Sequence, residues 1–417
     1  MKITSRGVLG PQDAIILLVC LVFVAVGFTP LLSVATVGLV YVAWRVGVAL
    51  EDVAETTLFL GVALCFPLGT ALWDPTYSFD AAALRIAICL SLMFFLIGKR
   101  VEVESPSLRK YLMGALITLT AAIALQRVAM IFGVYVNMPA FLLGQKGSGT
   151  LVDASMVDFL RATGYLYYRP SLLYAEPSYL GLVVLSLLAS ILAHSHKVRD
   201  AMLAGAAVVV TVLASGSAYL AVSAVAVFIA FGASSQRATL SSRRRFGAVL
   251  GLVLAAFLAV SYLPVDQRLV LLFTAGDVSA ATRLTKPLGY VQSTWTHISP
   301  FGYPLEAVYS KFGAMGISTY PGDAPLDNGA WNILINFGVF GILVFAALRL
   351  RVGGWFGFTY LVLALMQNGA FGSWDKAFII GFTCVLINSA RSAERIERAD
   401  FGLARRRTLI LMADRDP

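Results

Sequence analysis

Long apolar runs separated by short polar stretches organise almost the whole chain. They fall near residues 13–29, 31–48, 56–73, 80–98, 110–135, 171–193, 200–214, 217–233, 246–264, 329–348, 354–372 and 374–390. Each approaches the roughly 20 residues a helix needs to cross the hydrocarbon of a bilayer. The pattern predicts an all-α polytopic membrane protein of about 12 transmembrane helices. Two longer polar stretches, about 136–170 and 265–328, interrupt the alternation, and a basic tail at 391–417 follows it. Nothing sizeable is left for a separate soluble domain, so residues 1–417 read as a single integral membrane domain.

Composition supports this class, with 59% hydrophobic and only 13% charged residues against about 25% charged in soluble domains. The placement of charge then suggests an orientation. Most of the 32 Lys and Arg lie in short stretches on the N-terminal side of the alternation, among them Lys99, Arg100, Arg109, Lys110, Arg243 to Arg245 and Arg405 to Arg407. The two long loops carry fewer: Lys146, Arg161 and Arg169 in one, and Arg268, Arg283, Lys286 and Lys311 in the other. Short cytoplasmic loops retain Lys and Arg, so both termini are expected to be cytoplasmic and both long loops external. The first span then serves as an anchor and not as a cleaved leader. The net charge of +9 accordingly reflects topology and attraction to anionic lipid heads. No basic-aromatic soluble module points to nucleic acid as a partner. Cys20, Cys65, Cys89 and Cys384 all fall in apolar spans, which leaves no disulfide or metal framework to expect.

Several polar residues stand out against this background. Between the basic clusters flanking residues 200–233 there is too little chain for two full crossings, so a recessed hairpin is expected. Its vertex is Ser215-Gly216-Ser217, followed by Tyr219, and such a vertex must be buried in protein or line a wet cavity. Arg127, with Gln126 beside it, lies within the fifth span, and Arg85 lies about one turn into the fourth. Intramembrane arginines either serve a site or snorkel to the interface. Acids are scarce there: Asp13, Glu55, Asp80 and Asp375 fall at edges, and Glu176 lies about one turn into a span. Arginine in excess of acid suggests an anionic ligand approached from outside, and its planar fork suits a diphosphate. Arg169 and Glu176 are seven residues apart and share one face if the helix begins before Pro170. Pro170 is expected to start that helix, with Arg169 at its cap. The pair either frames a site or forms a salt bridge that fixes the loop.

The external loops add Tyr165, Tyr167 and Tyr168, which fit an aromatic belt or a sugar-stacking platform, and His297, Asp323 and Asp327. Leu284, Leu288, Val291, Trp295 and Ile298 recur at helical spacing from near Pro287. They describe an amphipathic helix on the membrane surface or an ordinary helix over the bundle.

The string RPSLLYAEPSYLGL at 169–182 resembles the arginine-to-EPS motif of Wzy-type polymerases for O-antigen and exopolysaccharide, members of the O-antigen polymerase/ligase superfamily. Three further pieces agree in order: ASGSAYL (214–220) is similar to the serine-rich hairpin, Arg283 with Trp295 and SPFGYP (299–304) resembles the arginine-tryptophan-glycine stretch, and DNGAWNILINFGVFGIL (327–343) resembles the segment that re-enters the membrane. The resemblance implies a GT-C-like glycosyltransferase at the periplasmic face of a bacterial inner membrane. Its substrates would be polyprenyl-diphosphate-linked oligosaccharide repeat units, with no metal or other cofactor. A flippase and a chain-length regulator would accompany it, besides the membrane lipids. By motif, Arg169 and Arg283 would hold the diphosphate, with Arg127 added on burial. Glu176, Asp327 and His297 are the candidate bases. Arg85, Ser215, Ser217, Tyr219, Tyr168 and Asn328 complete the expected substrate-binding set. Where the superfamily often has His-Asn, this chain has Asp327-Asn328, so the base stays open. A ligase transferring finished glycan to lipid A core would share the chemistry. A non-enzymatic carrier of anionic lipid-linked glycans would share the arginines, and a non-catalytic assembly partner would need neither.

Overall fold

The computed structural model describes residues 8–26, 33–47, 49–74, 81–103, 105–132, 171–174, 177–195, 197–234, 251, 300–302, 328–366 and 373–392. The helices are α1 (Pro11–Val22), α2 (Val34–Val46), α3 (Leu50–Trp73), α4 (Ala81–Ile97), α5 (Ser105–Ile131), α6 (Pro177–His194), α7 (Val198–Ser215), α8 (Ala218–Ser234), α9 (Gly329–Phe337), α10 (Gly341–Arg351), α11 (Gly354–Leu365) and α12 (374–392). Four of them, α3, α5, α6 and α7, are long and apolar enough to cross a membrane, and α1, α2, α4, α8 and α11 are shorter apolar helices. The protein is thus a mostly helical membrane protein. The predicted span at 246–264 lies outside the described residues apart from Gly251. So do the amphipathic stretch from Pro287, most of both long loops, and the tail beyond residue 392.

Local chemistry sets the helix starts. Pro11 opens α1 and the Asp13 carboxylate accepts the Gly10 N–H at 2.9 Å; Asp52 does the same for the Ala49 N–H at 3.0 Å ahead of α3. The Ser33 hydroxyl accepts the Thr36 N–H at 3.2 Å and caps α2. Each satisfies a donor that a helix start leaves without an intrahelical partner.

One end of the bundle gathers polar groups. There a short parallel pair forms between β1 (Val8–Leu9) and β2 (Glu102–Val103). Ion pairs join Asp13 to Arg45, Asp52 to Lys99, Glu55 to Arg351, and Asp200 to Arg109 at 3.2 Å. The C-terminal half of α12 reaches the same end, where the Val101 N–H donates to the Ser389 hydroxyl at 3.0 Å. Asn388 links three chain segments: its amide donates to the Ile97 carbonyl at 2.6 Å and accepts the Gly353 N–H at 2.7 Å. The start of α1 and the end of α12 therefore lie at one end of the bundle.

The centre is built from α6 and α12, whose residues are buried on nearly every face. A helix apolar all round belongs inside a bundle. Hydroxyls on α6 bond back to their own helix, Ser186 to the Leu182 carbonyl and Ser190 to the Ser186 carbonyl, both at 2.8 Å. Ser186 also meets the Tyr360 hydroxyl of α11 at 2.7 Å. Around this centre, α3 and α5 present exposed apolar side chains such as Leu58, Leu72 and Leu125 outward.

The structure corrects two expected spans. The run 329–348 is not one helix: α9 ends at Phe337, a 3-10 turn covers Gly338–Phe340, and α10 starts afresh at Gly341. Gly338, at φ 56°, breaks the helix because that backbone conformation lies outside the right-handed helical region. The helix near 171–193 also starts later than Pro170 predicts. Residues 171–174 form a turn and α6 begins at Pro177, which is pre-set for a first helical position and biases the residue before it away from the helix.

Candidate functional site

The late start of α6 changes the geometry of the 169–182 stretch. Arg169 and Glu176 lie outside the described residues, and no helix runs through Ser171–Tyr174 to set them on one face. Between them the chain is fixed instead as a turn. The Ser171 carbonyl accepts the Tyr174 N–H at 3.0 Å, the Ser171 hydroxyl donates to the Tyr174 carbonyl at 2.8 Å, and Leu172 adopts a left-handed φ of 54°. Two outside contacts hold this turn. The Gln126 side-chain oxygen on α5 accepts the Leu172 N–H at 2.9 Å, and the Tyr174 hydroxyl donates to the Val22 carbonyl at the end of α1 at 2.7 Å.

One turn into α6, Tyr179 donates to the Asp375 carboxylate at the start of α12. The Lys376 ammonium stands 5.6 Å from the Tyr179 ring centroid, and the Tyr174 and Tyr179 rings are 5.4 Å apart. Sequence reading left Asp375 at an edge; its residue is only 8% exposed, enclosed in the bundle. The EPS-Tyr spacing was visible, but its acidic partner lies 196 residues away. Only the bundle packing reveals that pairing.

The serine hairpin packs on the same turn of α6. A Cβ on Gly181 would lie 3.0 Å from the Ser217 hydroxyl and 3.2 Å from Tyr219, so the vertex approaches the helix backbone closely. Ser215 and Ser217 are buried in protein, and their hydroxyls close the turn: Ser215 donates to the Thr211 carbonyl at 2.7 Å, and Ser217 accepts the Leu220 N–H at 3.3 Å. The Tyr219 hydroxyl donates to the Leu363 carbonyl in the last turn of α11 at 2.9 Å. One arm is longer than the flanking charges suggested, because α7 already starts at Val198 and runs 18 residues, enough to span, while α8 at 17 residues stays among the shorter apolar helices.

A second junction joins the other two motif pieces. Gly302 of SPFGYP, at φ 83°, lies against the backbone of Asn336 and Gly338, and the Val339 N–H donates to the Pro300 carbonyl at 3.2 Å. The Gly302 carbonyl accepts the Thr70 hydroxyl of α3 at 2.7 Å. Asn328 is 2% exposed and caps α9, accepting the Ala330 N–H at 2.9 Å. Asp327, directly before that cap, lies outside the described residues, as do Tyr168, Arg283 and His297.

The two spanning arginines differ. Arg127 on α5 is half-buried and is adjacent in sequence to Gln126, which holds the motif turn. Arg85 on α4 is exposed, a placement that allows its guanidinium to snorkel. The structure thus brings the first motif onto the second through Gly181, and the third onto the fourth through Gly302, with α11 touching both α8 and α9.

A family model for WcaD colanic acid polymerase matches residues 9–356, which include all four motif pieces and exclude α12. No curated protein matches the chain. From a match of that extent, the chain belongs to the WcaD colanic acid polymerase family, a Wzy-type polymerase family.

Proposed function

We propose that this protein is a GT-C-like exopolysaccharide polymerase of a bacterial inner membrane. It joins polyprenyl-diphosphate-linked repeat units at the periplasmic face, without a metal, and both its termini are cytoplasmic. The family match over residues 9–356 carries the reading. The fold supports the sidedness: the start of α1 and the end of α12 share the polar end with the ion pairs, and the motif turn, the Tyr179–Asp375 contact and the hairpin vertex occupy the other. A flippase delivering the units and a regulator of chain length are the proposed companions.

In the reaction, the acceptor hydroxyl oxygen forms a bond to the anomeric carbon of the donor glycan. The bond from that carbon to the carrier phosphate breaks, and its electron pair stays on the diphosphate oxygen. Arg169 and Arg283 stabilise that developing charge by fixed bidentate donation, with Arg127 as a further donor. The acceptor proton passes to a base, for which Glu176 is first choice, ahead of Asp327 and His297. Tyr168 and Asn328 frame the sugar, while Arg85 at its exposed position meets the headgroup region. Ser215, Ser217 and Tyr219 shape the wall beside α6.

The test is polymerisation in proteoliposomes containing a chelator, with the host's lipid-linked repeat unit, for wild type, Arg169→Ala, Arg283→Ala and Glu176→Gln. A glycan ladder from wild type that the folded arginine variants lose is the expected result. Transport of unextended units by wild type would replace the enzyme reading with a carrier. Transfer only to a lipid A core hydroxyl would replace it with a ligase.

A further inference from the structure

A left-handed backbone at Leu172, in the middle of the 169–182 stretch, is not explained by its own side chain. A branched residue disfavours that region, and such conformations persist only where the surroundings over-determine them. Here the surroundings are specific. Gln126 is 9% exposed and its side-chain oxygen accepts the Leu172 N–H at 2.9 Å, while Tyr174, two residues on, donates to the end of α1 at 2.7 Å. Ser171 and Tyr174 close the turn between these two anchors. Arg169 is two residues before the turn and Glu176 two residues after it.

We infer that Gln126 is a positioning residue of the polymerase: its amide oxygen holds Leu172 in the left-handed conformation and so sets the path of the chain that carries Arg169 and Glu176. The inference rests on the reading of those two residues as diphosphate donor and base. The physical logic is that a hydrogen bond formed at only one backbone conformation selects that conformation, and that a nearby mutation which shifts reacting groups slightly loses rate without losing the fold. Gln126 precedes Arg127 on α5, so one helix turn serves both the motif turn and the proposed further donor.

The discriminating experiment is a double-mutant cycle between Gln126→Met, which keeps size but removes the acceptor, and Leu172→Gly, which removes the cost of the left-handed backbone. Gln126→Met should lower kcat about ten-fold, the scale of the left-handed penalty, with KM within about two-fold. In the Leu172→Gly background the same substitution should lower kcat by less than about three-fold, and Gln126→Glu, which keeps an acceptor oxygen, should rescue activity. A full ten-fold loss in both backgrounds, or no loss in either, overturns the inference. If Gln126→Met does not fold, amide hydrogen exchange of wild type in proteoliposomes decides. Protection of the Leu172 amide supports the hydrogen bond, and exchange at the rate of an open loop overturns it. Failure of wild type to polymerise would instead sink the polymerase reading and leave the exchange result standing.

Discussion

The contact between Gly302 and Gly338 yields a prediction whose size follows from geometry. Adding a Cβ to Gly302 puts it 2.5 Å from the Asn336 carbonyl carbon and the Gly338 nitrogen; adding one to Gly338 puts it 2.7 Å from the Gly302 nitrogen. All of these are backbone atoms, so no flexible side chain can swing aside. Both residues also have left-handed backbones, at φ 83° and 56°. An L-residue there costs about 1–2 kcal/mol, and forcing an extra carbon into a packed contact costs about 1–3 kcal/mol. Each substitution to Ala should therefore destabilise the protein by about 2–5 kcal/mol. Cooperative unfolding of 417 residues at about 2.1 cal/mol/K per residue carries an entropy of about 0.9 kcal/mol/K, so a cost of about 4 kcal/mol lowers Tm by about 4–5 °C. Thermal unfolding of the purified protein in one detergent, followed by intrinsic fluorescence, reads this directly. Gly61→Ala is the control, because it sits within α3 and a Cβ there meets nothing within 4 Å. That control should gain about 0.5–1 kcal/mol from helix propensity. The double substitution should cost less than the sum of the singles, since yielding at one residue opens room for the other. Gly302→Ala and Gly338→Ala both melting with Gly61→Ala would refute the proposed junction between SPFGYP and the α9–α10 break.

Two other perturbations probe the two ends of the bundle. Tyr179→Phe removes a donor from the buried Asp375 carboxylate and should cost about 1–3 kcal/mol; Asp375→Asn in the same background should then cost less than it does alone, and additive effects in the melting cycle would argue against the pairing. Asn388→Leu leaves the Ile97 carbonyl and the Gly353 N–H without this partner, at about 1–3 kcal/mol for each group, so a Tm loss smaller than that of Tyr179→Phe would contradict the link that Asn388 makes between the three segments.

Much of the fold was legible because the signal is long. Runs such as 56–73, 80–98 and 110–135 overlap α3, α4 and α5 with boundaries displaced by up to six residues, since an apolar helix and its charged flanks are both local features. Local conformation was less legible where two signals compete. Pro170 and Pro177 are equally good helix openers by type, and what separates them is Gln126, 46 residues earlier, accepting the Leu172 N–H and holding the intervening chain as a turn. The 3-10 break after Phe337 had a local signal in Gly338 and Gly341, three residues apart, but the glycine that makes the break necessary is Gly302. Hydropathy sees a glycine in an apolar run as neutral, whereas packing sees two backbones in contact.

The site was legible as a set of motifs and illegible as an arrangement, for the same reason. A membrane interior offers no water to unpaired backbone groups, so helix ends there must be satisfied by side chains from other helices. The polar residues that sequence reading marked for substrate do part of that work: Asn328 caps α9, Ser217 caps α8, and Tyr219 donates to an α11 carbonyl. Residues to which sequence reading gave no substrate role do the rest, with Tyr174 serving the end of α1 and Gln126 serving Leu172. Such polar side chains hold the irregular backbone, and in the proposed function they also shape the place where charge is handled. A hydroxyl closing a hairpin and a hydroxyl waiting for a sugar look identical in sequence, so the two demands separate only by partner. Arg169 and Arg283 are the better candidates for chemistry on that ground. A guanidinium stays charged and offers five donors, more than a single carbonyl can occupy, and a leaving diphosphate supplies the acceptors and the charge that a helix end cannot.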